Sequence, residues 1–210
     1  MASLNDFKIL NKKCEKYFDY IKEATGIESE IDDVNKRRLG FYVFVLENIC
    51  NNNDIDSLID NITDTQFNFV LDGTKYDDCG IDAVSIDDEN KIIRFFNFKF
   101  REKFNPDSRQ HLNDNFTSSK YLNVIKSENI SGLEGKPLER AKEVLTRLNS
   151  NDEWDIILYQ VSNESNETQV IDAHIENLMD SYDLQVKSIG LPTITEMMSI
   201  RPTPINARKK

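Results

Sequence analysis

The first third of the chain repeats apolar residues with a period that predicts helices. Apolar side chains recur at spacings of three and four over residues 5–24, and Gly26 is well placed to end that helix. A second helix is predicted over residues 31–50. Between residues 41 and 46 it is apolar nearly all round, so we expect it to be deeply buried. A short helix is predicted over residues 55–62.

The period then changes to two, which is typical of strands. Strands are predicted over residues 67–71, 81–86 and 91–100. A polar turn at residues 87–90 separates the last two, so we expect these two strands to pair antiparallel.

The pattern of the second half predicts helices over residues 107–127 and 137–148, a strand over 154–161, a helix over 169–182 and a strand over 184–189. A strand, a helix and a strand in succession favour a parallel crossover connection. The whole order of elements predicts an α/β fold with a mixed central β-sheet flanked by helices. We expect one domain over residues 1–200, followed by a tail or linker at 201–210.

Charge and cysteine content limit the binding partners and the cellular compartment that the sequence allows. The net charge of −11 argues against nonspecific binding of nucleic acid by the whole surface, although a local basic patch would still bind. Cys14, Cys50 and Cys79 show no metal-ligand spacing and are expected to be free thiols in a reducing compartment. No apolar run reaches the length of a membrane span, and no secretion signal is evident. We therefore expect a cytoplasmic protein with no membrane partner.

The two predicted strands around the acidic turn carry the candidate chemistry. The strict alternation of residues 94–100 places three phenylalanines on one face and Phe95, Asn97 and Lys99 on the other. Asp82 lies on the neighbouring strand. An acid, an amide and a lysine on adjacent strands have the chemistry to hold a divalent metal and to stabilise a phosphoryl transition state.

The run Asp78-Cys79-Gly80-Ile81-Asp82-Ala83, followed by a strand that ends Phe95-Phe96-Asn97-Phe98-Lys99, resembles the motif of the PD-(D/E)xK nuclease-like superfamily. It is most similar to the N-terminal domain of abortive-infection phage-resistance (AIPR) proteins, with Mrr-like restriction endonucleases next. Those proteins typically show a D-G-G-I-D-A/G strand, an acidic turn and a strand ending F-Q-x-K. Cys79 stands where the first of the two glycines is usual.

The resemblance implies a restriction-endonuclease-like fold and a role for each matching residue. Asp82 would be a metal-binding carboxylate, and Lys99 would orient or activate the attacking water. Asn97 falls where the family has Glu, Asp or Gln, and it would offer a neutral carbonyl oxygen to the cation. Glu47, in the second helix, matches a glutamate that the superfamily often adds. The competing reading places Glu47 on the solvated edge of that helix.

These expectations lead to two candidate functions. The first is a metal-dependent nuclease domain that hydrolyses phosphodiester bonds in defence against phage or other foreign DNA. Its metal, Mg²⁺ or Mn²⁺, would be held by Asp82, Asn97 and Glu47, and its substrate would be DNA more readily than RNA. Such enzymes often use two sites to cut both strands, so a homodimer is left open. The alternative is a degenerate nuclease fold that acts as a nucleic-acid or protein interaction module.

Overall fold

A computed structural model describes residues 2–28, 30–110, 113–167 and 173–200. The described residues form eight α-helices: α1 (Leu4–Thr25), α2 (Asp33–Cys50), α3 (Ile55–Asp60), α4 (Thr65–Asp72), α5 (Asn113–Ser127), α6 (Gly135–Leu148), α7 (Ala173–Tyr182) and α8 (Leu191–Ile200). They also form four strands: β1 (Ala83–Asp87), β2 (Ile92–Lys99), β3 (Asp155–Ser162) and β4 (Gln185–Ile189). The predicted tail at residues 201–210 lies outside the described residues.

The four strands form one mixed sheet in the order β1-β2-β3-β4. The first pair is antiparallel and faces Ala83 with Phe96, as the polar turn between them predicts. The pairs β2–β3 and β3–β4 are parallel, and each is joined through helices. The predicted fold class, α/β with a mixed central sheet flanked by helices, is therefore confirmed.

Each face of the sheet buries its own apolar core. Phe96 and Phe98 of β2 pack with Tyr159 of β3 against the helices α1 and α2. The opposite face packs Phe95 and Leu158 against α5 and α6. Burial on both faces explains why β2 and β3 are apolar over most of their length. The ring of Phe95 is 1% exposed and contacts Tyr121, so it is core and is not placed to stack on a base.

The first two helices form as the sequence predicts. Gly26 ends α1 in the left-handed conformation with φ of 69°, and Ser3 caps its start through a reciprocal bond with Asp6. Helix α2 is capped by Asp32 and is buried continuously from Leu39 to Glu47. Burial on nearly all sides is what the apolar run of this helix predicts.

The strand predicted over residues 67–71 is wrong, because this segment is the helix α4. Asp64 caps its start by accepting a hydrogen bond from the backbone N–H of Phe67, and Gly73 ends it with φ of 78°. Five alternating residues fit either structure, and the capping residues on both sides decide for the helix. The structure also contains α8, which the sequence pattern did not predict. Residues 107–110, predicted as the start of the helix over 107–127, lie outside any helix.

In the part of the chain that the structure describes, no helix combines the length and apolar character needed to cross a membrane.

Gly40 lets α2 lie close against the backbone of α1. A Cβ atom at this position would lie 1.9 Å from the carbonyl oxygen of Cys14. Alanine is favoured over glycine in a helix by up to about 1 kcal/mol, but overpacking against backbone costs about 1–3 kcal/mol or more. We therefore expect Gly40→Ala to lower the free energy of unfolding by about 2 kcal/mol, measured by urea denaturation.

The matched control for this substitution is Gly132→Ala. No heavy atom would lie within 4 Å of a Cβ there, so the change should stay within about 0.5 kcal/mol. Equal stability of the two variants would contradict the close packing of α1 on α2.

Candidate metal-binding site

Three carboxylates converge beside the amino end of β1. Asp64, Asp78 and Asp82 each offer one oxygen, and these three oxygens all lie within 4.8 Å of one another. Asp64 and Asp82 are buried, at 8% and 7% exposed, while Asp78 is half-buried. Two of the acids are thus enclosed, and the third is partly open to solvent.

Backbone hydrogen bonds bring the first two acids together. The N–H groups of Thr63 and Asp64 both donate to the carbonyl oxygen of Asp82, at 2.9 and 3.0 Å. The N–H of Asp82 in turn donates to the carbonyl of Phe96, at 2.8 Å, which fixes it against β2. The segment that enters α4 is therefore tied to the segment that enters β1, and each carries an aspartate to the junction.

Asp78 is held by the first turn of α4 and by the loop that follows it. One oxygen accepts hydrogen bonds from the N–H and the hydroxyl of Thr65, at 3.1 and 2.9 Å, and the other accepts the N–H of Gly80 at 2.8 Å. Gly80 has φ of 81°, and a Cβ there would lie 2.4 Å from the backbone of Thr117. Only glycine fits this position, as the motif requires.

Burial and repulsion from neighbouring carboxylates raise the pKa values of Asp64 and Asp82. Burial raises the pKa of Asp82 well above its usual value, and repulsion from Asp64 and Asp78 raises it further. The N–H of Phe98 and the ammonium of Lys99 lower it, but by less. Burial also raises the pKa of Asp64, which the N–H of Phe67 and the charge of Arg38 partly offset. The site therefore favours a bound proton or a bound cation over three free negative charges.

Lys99 ends β2 and lies near enough to Asp82 for its charge to favour the ionised carboxylate. The structure thus brings these two residues, which the sequence analysis named as site residues, to the same part of the molecule. The two residues come from adjacent segments of the sheet, with Asp82 also accepting a hydrogen bond from the N–H of Phe98.

Asn97, predicted as a ligand, is 1% exposed and has a different set of contacts. Its Nδ2 donates to the carbonyl of Gly80 at 3.1 Å, and its Oδ1 accepts from Gln110 at 3.1 Å. The hydroxyl of Ser118 also donates to the Gly80 carbonyl, at 3.1 Å. The amide therefore supports the loop that holds Asp78. Beside it on β3, Gln160 is 2% exposed, and its Nε2 has no partner among the described residues.

Glu47, the other predicted ligand, is not among the three converging acids. It is 6% exposed, which excludes the solvated edge of α2, and it accepts a hydrogen bond from the hydroxyl of Tyr17. Glu47 follows Arg38 by nine residues, and nine residues make two and a half helical turns. It therefore projects from the side of α2 opposite to Arg38, whose charge acts on Asp64.

Sequence reasoning missed Asp64 and gave Asp78 no assigned role. An aspartate before a helix is commonly a cap, so Asp64 carries no separate signal of metal chemistry. Its placement depends on the two hydrogen bonds to the Asp82 carbonyl, which no local pattern predicts.

The donor set fits a hard divalent cation. Carboxylate oxygens are the ligands that Mg²⁺ and Mn²⁺ prefer, and three of them here are close enough to share one ion. Comparison of the chain with protein-family models, with curated proteins and with solved structures found no match.

Removal of one buried acid should stabilise the metal-free protein. The raised pKa of Asp82 means that its favourable contribution is full below about pH 4 and is lost as the pH rises through the folded-state pKa. Asp82→Asn cannot ionise and still offers an oxygen to the Phe98 N–H. We expect its melting temperature without divalent ions to exceed that of the parent by about 2 °C or more at neutral pH.

A divalent cation should reverse the order of these two melting temperatures, so that the parent becomes the more stable protein. Mn²⁺ at a hundred times its dissociation constant adds about 2.7 kcal/mol, or about 5–10 °C, to a protein that binds it only when folded. We expect that gain in the parent and not in Asp82→Asn. Glu153→Gln removes an equal charge from an exposed position and should behave as the parent does. Equal Mn²⁺ gains in all three proteins would exclude this cation site.

Proposed function

We propose that this domain is a divalent-metal-dependent phosphodiester hydrolase that acts on nucleic acid. The observation that carries the proposal is the convergence of Asp64, Asp78 and Asp82, with the charge of Lys99 acting on Asp82. Carboxylates beside a lysine match the needs of phosphate hydrolysis, which requires cation binding and stabilisation of developing negative charge. The resemblance of residues 78–99 to PD-(D/E)xK nucleases supports the same chemistry.

Each residue has a defined part in this proposal. Asp64, Asp78 and Asp82 would hold Mg²⁺ or Mn²⁺, which when bound makes water more acidic and neutralises phosphate charge. Lys99 would orient the attacking water and stabilise the charge that builds on the phosphate oxygens. Asn97 would keep the loop of Gly80 in place, and with it the carboxylate of Asp78.

DNA is the proposed substrate, more readily than RNA, and defence against phage is the proposed setting. Both follow from the resemblance to AIPR and Mrr-like proteins. A cytoplasmic location fits this setting and is part of the proposal. The three cysteines are free, as expected in a reducing compartment.

A second candidate is a nuclease fold that has lost the chemistry and acts as a nucleic-acid or protein interaction module. The observation that favours it is the amide of Asn97, which brings no charge and is occupied by Gly80 and Gln110. The acidity of the chain points the same way, because −11 net charges oppose the approach of a polyanion.

Cleavage assays separate the two candidates. We expect the parent to cut plasmid or single-stranded DNA in Mg²⁺ or Mn²⁺. Asp82→Asn removes a ligand charge and Lys99→Gln removes an ammonium, and each loss should lower the rate by about 100-fold or more. Lys12→Gln, at an exposed position of α1, is the matched control and should cut as the parent does.

Two outcomes would contradict the hydrolase. Cleavage that survives in both Asp82→Asn and Lys99→Gln would assign the activity to another site or to a contaminant. Metal-dependent DNA binding by the parent with no cleavage of DNA or RNA would establish the second candidate instead.

A further inference from the structure

One edge of the Arg38 guanidinium has no partner. Its Nε and Nη2 atoms each expose less than 1 Å², and neither has a hydrogen-bond partner among the described residues. Arg38 lies in the second turn of α2, and its side chain as a whole is half-buried. These two nitrogens form the side-on edge of the guanidinium, where two N–H groups point in parallel.

An unpaired edge of this kind is costly. Leaving a buried donor without an acceptor costs about 1–3 kcal/mol, and more when the group is charged. Of the six other arginines in the described part of the chain, five pair with a carboxylate: Arg37, Arg94, Arg101, Arg140 and Arg147. The neighbouring Arg37 bonds Glu15 at 2.6 Å through the same Nε atom that Arg38 leaves unpaired. Because the Nε of Arg37 has an acceptor and the Nε of Arg38 has none, we expect a ligand to supply the acceptor at Arg38.

The charge of Arg38 reaches the acidic site. The charge of Arg38 acts on Asp64 and on the buried Tyr42, whose ring stacks on Phe98 at 4.4 Å between centroids. Arg38 nevertheless donates no hydrogen bond to Asp64, whose Oδ1 accepts the N–H of Phe67. Its positive charge therefore acts on the carboxylates while the buried Nε and Nη2 donors have no acceptor among the described residues.

The ligand of such an edge is an oxyanion. Two parallel N–H groups with a positive charge match two oxygens of a phosphate or a carboxylate, and they repel a cation. The adjacent carboxylates cannot tolerate a further carboxylate without a cation between them, whereas a phosphate is the anion that commonly shares a cation with protein acids.

We propose that the Nε and Nη2 edge of Arg38 binds two oxygens of a substrate phosphate next to the acidic cluster of Asp64, Asp78 and Asp82. The inference rests on the function proposed above and adds a substrate-binding residue to it. Arg38 and Lys99 then supply positive charge from α2 and from β2, on two different elements that border the acids.

Binding without cleavage tests this role directly. The probe is a fluorescent oligodeoxynucleotide in Ca²⁺, followed by anisotropy for the parent, Arg38→Lys and Arg37→Lys. Lysine keeps the charge but loses the paired N–H groups, and a charge-assisted bond contributes about 1.5–3 kcal/mol. We expect Arg38→Lys to bind at least about tenfold more weakly, since 1.4 kcal/mol is a factor of ten, and Arg37→Lys to match the parent within about twofold.

Two further measurements distinguish a direct contact between Arg38 and DNA from an effect of the substitution on metal binding or folding. Mn²⁺ affinity of Arg38→Lys should equal that of the parent, because Arg38 holds no cation. In the unaltered protein, the Nε–H resonance of Arg38 should shift when the oligonucleotide is added, while that of Arg37, which Glu15 holds, should not. The second measurement needs no substitution and remains decisive if Arg38→Lys folds poorly.

The outcomes separate this inference from the proposed function. Unchanged DNA affinity in Arg38→Lys, or no shift of the Arg38 resonance on DNA binding, overturns the role of Arg38 even where cleavage depends on Asp82 and Lys99. Binding that depends on Arg38 in a protein that never cleaves supports the role of Arg38 and refutes the hydrolase.

Discussion

Repulsion among three carboxylates is the constraint on which the rest of this site depends. Asp64, Asp78 and Asp82 bring one oxygen each within 4.8 Å of the others, and two of the three are buried. Their hydrogen bonds come from neutral backbone N–H groups and from the hydroxyl of Thr65, which orient the acids but carry no counter-charge. The structure thus fixes the negative charges in place and leaves their neutralisation to Lys99, Arg38, protons or a cation.

Different parts of the fold position the acids and the cationic residues at the site. The three acids lie within 19 residues of one another in the segment that runs from the cap of α4 to the start of β1, so short-range hydrogen bonds suffice to assemble them. Lys99 arrives through the antiparallel pairing of β1 with β2, and Arg38 through the packing of α2 on the sheet.

Sequence patterns predicted the long elements well and the site only in part. The helices α1 and α2 and the strands β2 and β3 have enough residues for their period to be clear, and they form where expected. The segment 67–71 is too short for its alternation to exclude a helix, and its caps decide its structure. Asp82 and Lys99 were found because one directly precedes β1 and the other ends β2, two strands that the sequence pattern predicts. The role of Arg38 was hidden, because an arginine without a partner is visible only after every neighbour has been placed.

The amide at position 97, where the resembled family has Glu, Asp or Gln, follows from the same constraint. Asn97 donates to the carbonyl of Gly80, and an ionised Asp or Glu has no proton with which to make that bond. A carboxylate there would also add a fourth negative charge near three acids whose repulsion already helps to raise the pKa values of Asp64 and Asp82. In the proposed site, Asp64 and Asp78 would supply carboxylate oxygens to the cation, so the proposal does not require a ligand at position 97. The neutral amide is therefore compatible with metal-dependent hydrolysis, and it orients the loop that carries Asp78.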